Sequence, residues 1–171
     1  KLGDDYTALE KSFGKPWYSD SRLVYGRAVD YYIYHDKTTV GIAKRTGKIV
    51  DITVSDEKYS LPQKVKLGAT SYKMQSVFGK GQKELLDGRL YFIYSSKNNI
   101  KERLLLQLDS AEYFLTGIRL TSLPLDDEEA DSAMYDDDAD ENILNDGTID
   151  TSAVTSNENS AANVKIGFNY E

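Results

Sequence analysis

Imidazole-based acid–base chemistry has one candidate in this chain. His35 is its single histidine, and it stands in His35-Asp36-Lys37-Thr38, a run of turn-forming residues. A Ser-His-Asp arrangement, a Gly-x-Ser-x-Gly elbow, a His-Glu-x-x-His pair and a glycine-rich phosphate loop are all missing from the sequence. Cysteine is absent too, which excludes thiolate nucleophiles, thiolate metal sites and disulfides. A carboxylate-pair hydrolase needs two acids that converge with separated pKa values. Asp30, Asp51, Asp87 and Asp109 share no spacing that would unite them. The expectation is a protein that is not an enzyme and carries no cofactor.

Metal chemistry has one candidate. Asp136, Asp138, Asp140 and Asn142 fall at alternate positions, as the ligands of a calcium loop do. An EF-hand loop wants Gly at its sixth position and Glu at its twelfth. Those positions hold Glu141 and Gly147, so the match fails at both. What remains is a weak calcium candidate, or simply a solvated acidic run.

Recognition chemistry is better supplied. The chain has 13 tyrosines, and tyrosine joins a large rigid ring to a polar tip, which suits partly wet contact surfaces. Two aromatic runs, Tyr31-Tyr32-Ile33-Tyr34 and Tyr91-Phe92-Ile93-Tyr94, read as strands. Alternation places Asp30, Tyr32 and Tyr34 on a face that reads as exposed in the first run. In the second, Arg89, Tyr91 and Ile93 read as exposed, which is the opposite parity. The candidate protein-contacting residues are Trp17, Tyr32, Tyr34, Asp36 and Tyr91. Core packing and cross-strand pairing account for such rings equally well.

These residues must be positioned by short elements, and the sequence repeats itself in supplying them. Leu2 to Pro16 lies over Leu67 to Gly81 without a gap, with Leu, Gly, Phe, Gly and Lys identical. In each copy a capping residue (Asp5 or Thr70, or their neighbours Asp4 and Ser71) precedes an apolar pair four apart, Leu9/Phe13 and Met74/Phe78. Gly14 and Gly79 follow as left-handed C-terminal caps. Each copy therefore reads as a short helix followed by at least three antiparallel strands. Thr39–Ala43 and Arg103–Leu108 are the return strands. Ile49–Val54, with Val50, Ile52 and Val54 on one face, corresponds to Leu115–Leu120, with Ile118 and Leu120 on one face. The fold class expected is α+β, two tandem helix-on-sheet repeats over residues 1–60 and 61–125.

Charge divides the chain again. Residues 1–125 carry 20 Lys and Arg against 14 Asp and Glu, whereas residues 126–171 carry one base and 14 acids. The interspersed bases of the body form no stripe for nucleic acid, and the acidic extension would repel phosphates. Residues 126–163 form an Asp/Ser/Asn-rich extension. Residues 164–171 alternate Val164, Ile166, Phe168 and Tyr170, a strand signature. An intramolecular contact is expected, with strand 164–171 adding to a sheet edge and the acidic segment lying along the basic body. No apolar run is long enough to span a bilayer as a helix. The chain opens with Lys at the edge of the repeat motif. Removal of a secretory or lipoprotein leader and a chain cut at that point explain this equally.

The pattern Leu-Gly-x-[Asp/Thr]-x-x-x-[Leu/Met]-x-x-x-Phe-Gly-Lys, followed by an aromatic strand and a short hairpin, resembles the tandem repeats of β-lactamase inhibitory proteins. It is also similar to the single-copy SmpA/OmlA-type domain of outer-membrane-assembly lipoproteins. The resemblance covers residues 2–125. It implies, in each copy, a helical segment on a small sheet, with the two sheets joined into one curved protein-gripping surface. It also implies that a hairpin-borne acid in the first copy enters the partner's cleft, and Asp36 is the nearest positional match. The chain departs from those inhibitors in having no cysteine. The function expected is protein binding by a secreted or cell-envelope bacterial protein. The alternative is a structural or assembly lipoprotein domain, touching a membrane only through an N-terminal lipid anchor.

Overall fold

The structure, a computed structural model, describes residues 1–138 of the 171, with side chains described through Tyr135. Its order is α1 (Tyr6–Phe13), β1 (Tyr18–Val24), β2 (Arg27–Ile33), β3 (Thr39–Ala43) and β4 (Ile49–Val54), then α2 (Ser71–Phe78), β5 (Gln82–Leu86), β6 (Arg89–Ser95), β7 (Arg103–Leu108), β8 (Leu115–Thr121) and α3 (Asp127–Ala130). The eight strands form one antiparallel sheet in the order β1-β2-β3-β4-β8-β7-β6-β5. Each meander keeps its sequential order, and the two meet at the β4–β8 seam. The fold class is α+β. No helix among the described residues is long and apolar enough to cross a membrane.

Both long helices start for the same reason. The Asp5 carboxylate accepts from the Ala8 amide at 3.0 Å, and the Thr70 hydroxyl accepts from the Lys73 amide at 3.1 Å. Both stop at glycine, but not in the left-handed helical conformation expected. Gly14 (φ 78°, ψ −160°) and Gly79 (φ 87°, ψ −176°) are extended at positive φ, a region that is essentially glycine's alone. The chain thereby leaves the helix directly toward an edge strand. Anchoring is also shared. Gly3 donates to the Ile49 carbonyl at 2.9 Å and Gly68 to the Leu115 carbonyl at 2.8 Å, tying the start of each half to the first residue of β4 or β8. The Tyr34 hydroxyl reaches the Gly14 carbonyl at 3.3 Å, and the Tyr94 hydroxyl reaches that of Gly79 at 2.9 Å.

The helices cover one face of the sheet. Leu9 of α1 and Met74 and Phe78 of α2 join Tyr34, Val40, Ile42, Ile52, Val54, Phe92, Tyr94, Leu104, Leu106, Ile118 and Leu120 in a single core spanning both halves. The connection between the halves enters it too, through Tyr59, Leu61 and Val65.

Two expectations are corrected here; a third, at least three strands in each half, is met by four, with β1 and β5 as the two sheet edges. They escape an aromatic search because β1 is Tyr-Ser-Asp-Ser-Arg-Leu-Val and exposed along almost its whole length. Val50 does not share a face with Ile52 and Val54. A bulge opposite Gly41/Ile42 turns it outward, and Ile49 takes the core position. The second correction concerns faces. Tyr32 and Tyr34 point to the helices, where Tyr32 lies 4.9 Å from the Tyr6 ring and Tyr34 lies 5.6 Å from that of Phe13. Tyr34 is buried and Tyr32 half-buried. The parity conflict disappears, because Phe92 and Tyr94 of the second half are on that same face. Of the five extra residues in the first hairpin, three precede its Tyr25-Gly26 turn and two follow it. Two added residues leave strand parity unchanged.

Candidate functional site

The face away from the helices carries the distinctive chemistry. Cross-strand pairing brings Arg22, Tyr31, Asp51, Arg119, Gln107 and Tyr91 onto it from six different strands. Together with Asp87 and Arg89 they line a trough of about 470 Å3. Its floor is a bidentate ion pair across the β4–β8 seam. Arg119 Nε donates to Asp51 Oδ1 at 2.8 Å and Nη2 to Oδ2 at 3.1 Å. The Tyr31 hydroxyl donates to the same carboxylate at 2.8 Å. Burial and the neighbouring Asp51 charge push the Tyr31 phenol well above its ordinary range. Arg119 is held charged, because Asp51 outweighs the burial that opposes ionisation. The Arg22 guanidinium lies 4.8 Å from the Tyr31 ring centre, forming one wall. The Asp87-Gly88 turn, with both residues at positive φ, sets Asp87 and Arg89 on the opposite wall.

Gly41 makes room for this floor. A β-carbon there would lie 2.8 Å from Tyr31 Cε1 and 2.9 Å from Val29 Cγ1. Glycine at this strand position lets the tyrosine ring lie flat across the neighbouring strand.

The other end of this face is covered by the segment that follows β8. Leu123 packs with Val29, Tyr31 and Ile33. Glu129, on α3, pairs with Arg103 through both carboxylate oxygens, one contact being 2.8 Å. Arg103 also donates to the Tyr135 hydroxyl at 2.7 Å, and Arg27 Nη2 donates to the Tyr135 carbonyl at 3.0 Å. Burial works against ionisation of Glu129, but the Arg103 hydrogen bonds more than offset it and lower its pKa. Burial carries the Tyr135 phenol up to about 12.

The residues singled out by the sequence lie in four places. Tyr91 alone lines the trough. Tyr32 and Tyr34 lie on the helix face. Trp17 is 61% exposed and stacks on His35 at 4.6 Å, just outside the first residue of β1. Asp36 is a turn brace. Its carboxylate accepts from the Thr38 amide at 2.9 Å, from the Tyr59 hydroxyl at 3.0 Å and from Lys58 Nζ at 2.7 Å. Burial alone would raise its pKa. The Lys58, Thr38 and Tyr59 hydrogen bonds prevail and hold it at about 2.

The sequence reading leaves out Arg22, Tyr31, Asp51, Gln107 and Arg119, and one signal in it points to a single wall, that of Asp87 and Arg89. Asp87-Gly88 is a strong two-residue hairpin signature, and it pairs Leu86 with Arg89. The calcium candidates Asp136, Asp138 and Asp140 fall outside the described side chains, and strand 164–171 lies outside the described residues. Among the described residues no three metal-ligating side chains gather.

No family model matches the chain, and no curated protein does. Solved structures do. An extracellular protein containing a SCP domain, from Bacillus anthracis, is similar at 16% identity and a TM-score of 0.50, over 70% of this chain and 43% of that one. A cysteine-rich secretory protein from Staphylococcus aureus is similar at 17% identity and a TM-score of 0.47, over 70% and 44%. A candidate β-lactamase inhibitor protein from Streptococcus mutans has 16% identity and a TM-score of 0.30, over 68% and 82%. The chain spans less than half the length of the first two proteins. The first likeness is one of fold alone, and the others are too distant to add to it.

Proposed function

We propose that this chain is a non-enzymatic, extracytoplasmic protein-binding module that grips its partner in the trough of Arg22, Tyr31, Arg89, Tyr91, Gln107 and Arg119. The observation that carries this reading is a half-open, mixed aromatic and charged sheet face whose floor is already locked by the Asp51–Arg119–Tyr31 network. A prearranged surface spends little entropy on ordering when a partner arrives. Arginine and tyrosine are the side chains that concentrate binding energy at interfaces. The likeness of both Leu-Gly…Phe-Gly-Lys segments to β-lactamase inhibitory proteins supports the reading, as does the paired layout of α1–β4 and α2–β8. The latter favours a gene duplication. An extracytoplasmic location is supported by the extracellular protein that shares the fold.

The test compares baits. Wild-type chain, Tyr91→Ala, Arg89→Glu and a remote control on α2, Tyr72→Ala, where the tyrosine is 82% exposed, are incubated with secreted and envelope proteins of the source organism. A partner should be retained by wild type and control and lost, by about tenfold or more, from both trough variants. If every retained protein survives the trough variants, or falls equally with the control, the trough is not the binding surface.

A further inference from the structure

Strand β1 ends the sheet on one side, and among the described residues no strand pairs with its outer side. It is exposed along almost its whole length. Large apolar side chains gather on it and at its ends: Trp17, Tyr18, Leu23 and Tyr25 are all exposed, Leu23 at 75%. Soluble proteins usually blunt such an edge with lysine, proline or a bulge. The sequence Tyr18-Ser19-Asp20-Ser21-Arg22-Leu23-Val24 has no lysine and no proline, and its register with β2 runs unbroken from end to end.

The two-residue turn at Tyr25-Gly26 fixes which backbone groups point outward. Both turn residues have positive φ, and Val24 pairs with Arg27 across them, so that pair is hydrogen-bonded. Alternation back along the strand turns the amides and carbonyls of Arg22 and Asp20 toward β2. Those of Ser19, Ser21 and Leu23 therefore face away from the sheet. We propose that this edge pairs antiparallel with β1 of a second copy of the chain, about a two-fold axis through Ser21. In this full-length register Ser19 faces Leu23 of the second copy and Ser21 faces its own counterpart, all with outward backbone groups. Asp20 then stands opposite Arg22 of the second copy, and Arg22 opposite Asp20, at the close non-hydrogen-bonded positions.

The charges select both the register and the occupant. Sliding the second copy by two residues either way sets Asp20 against Asp20 or Arg22 against Arg22, and like charges directly opposite are destabilising. The other edge lacks this self-complementarity. Turned on itself over its full length, β5 would set Glu84 against Glu84. The contact is isologous, so it closes at two copies and does not propagate. Its axis stands perpendicular to the sheet, and the two troughs come to lie on one face of a continuous sheet. The dimer does not depend on what the trough binds.

Light scattering on the eluting 171-residue protein, over a concentration series, tests this. Wild type should reach twice the chain mass of 19.2 kDa. Asp20→Arg and Arg22→Asp each oppose like charges twice across the axis and should weaken the dimer by about tenfold or more. Combined in one chain, they recreate both opposite-charge pairs and should restore it. Circular dichroism identifies any variant that fails to fold. Should one fail, Ser21→Cys decides the question, because the chain has no cysteine of its own. Paired residues at the axis lie about 5.5 Å apart between Cα atoms, within the range a disulfide spans. Mild oxidation should cross-link Ser21→Cys to a covalent dimer and leave Tyr72→Cys, exposed on α2, largely monomeric. Wild type that stays at 19.2 kDa would overturn the proposal and leave the edge to an extended segment of another protein. A dimer indifferent to both single reversals, or Ser21→Cys cross-linking no faster than Tyr72→Cys, would overturn it by placing self-association elsewhere.

Discussion

Replacing Asp36 by asparagine separates a structural acid from a functional one. The carboxylate moves from its ordinary 3.8 to about 2 on folding. At about 1.4 kcal/mol per pH unit this corresponds to about 2 kcal/mol of stability. Its partner Lys58 is 35% exposed, so solvent screening brings the expectation to about 1–2 kcal/mol. The sign follows from the direction of the shift. A carboxylate lowered on folding contributes fully above about pH 4, and its contribution is lost as pH falls toward about 2. The amide oxygen of the Asp36→Asn variant could still accept from the Thr38 N–H, but its NH2 would stand where Oδ2 accepts from the Tyr59 hydroxyl and Lys58, so the Tyr59 bond as it stands, the Lys58 ion pair and the titration would be lost. Urea unfolding at pH 7, 4 and 2.5 reads this out. The variant should be about 1–2 kcal/mol less stable than wild type at pH 7, and the gap should close on acidification. A variant equal to wild type at pH 7, or a gap independent of pH, would refute the assignment of Asp36 as a brace. Partner binding in the trough should be unchanged by the substitution.

Two further substitutions examine the open face. Gly41→Ala should cost about 1–3 kcal/mol and displace Tyr31 from Asp51, because the new methyl meets ring and Val29 atoms closer than contact distance. Thermal unfolding gives the cost, and a phenol titrating nearer its ordinary range in ultraviolet difference spectra would show the displacement. Glu129→Ala leaves Arg103, whose side chain is 8% exposed, without its carboxylate. A loss of about 2–4 kcal/mol is expected, together with faster proteolytic cleavage within residues 122–135 than elsewhere.

How much of this was legible in the sequence follows from the range of the interactions. The helices, their caps and strands β3, β4 and β7 are set by local pattern, and their bounds were readable to within a residue or so. The faces of the aromatic strands were not, since Tyr31, Tyr32 and Tyr34 are apolar enough for either side. Only the Tyr25-Gly26 turn and the hydroxyl contact to Gly14 fix their parity. Val50 was misplaced because a bulge is invisible to strict alternation. The trough floor depends on Asp51 meeting Arg119 across 68 residues. That pairing is decided when β4 meets β8, and nothing in either strand alone reports its partner.

The same seam explains why the two faces of one sheet differ in character. The helix face is filled by both halves and reads as ordinary core. On the other face a cross-strand ion pair occupies the centre, where an apolar pair would pack at least as favourably. Its contribution is register. Thr53 faces Arg119 and Asp51 faces Thr121 in the β4–β8 ladder. A slip by one residue would swing Asp51 to the side of Leu9 and Met74, where a carboxylate is intolerable. The join between two halves of similar layout is thereby restricted to one alignment. The polar groups that enforce it also keep the face from being a continuous apolar strip.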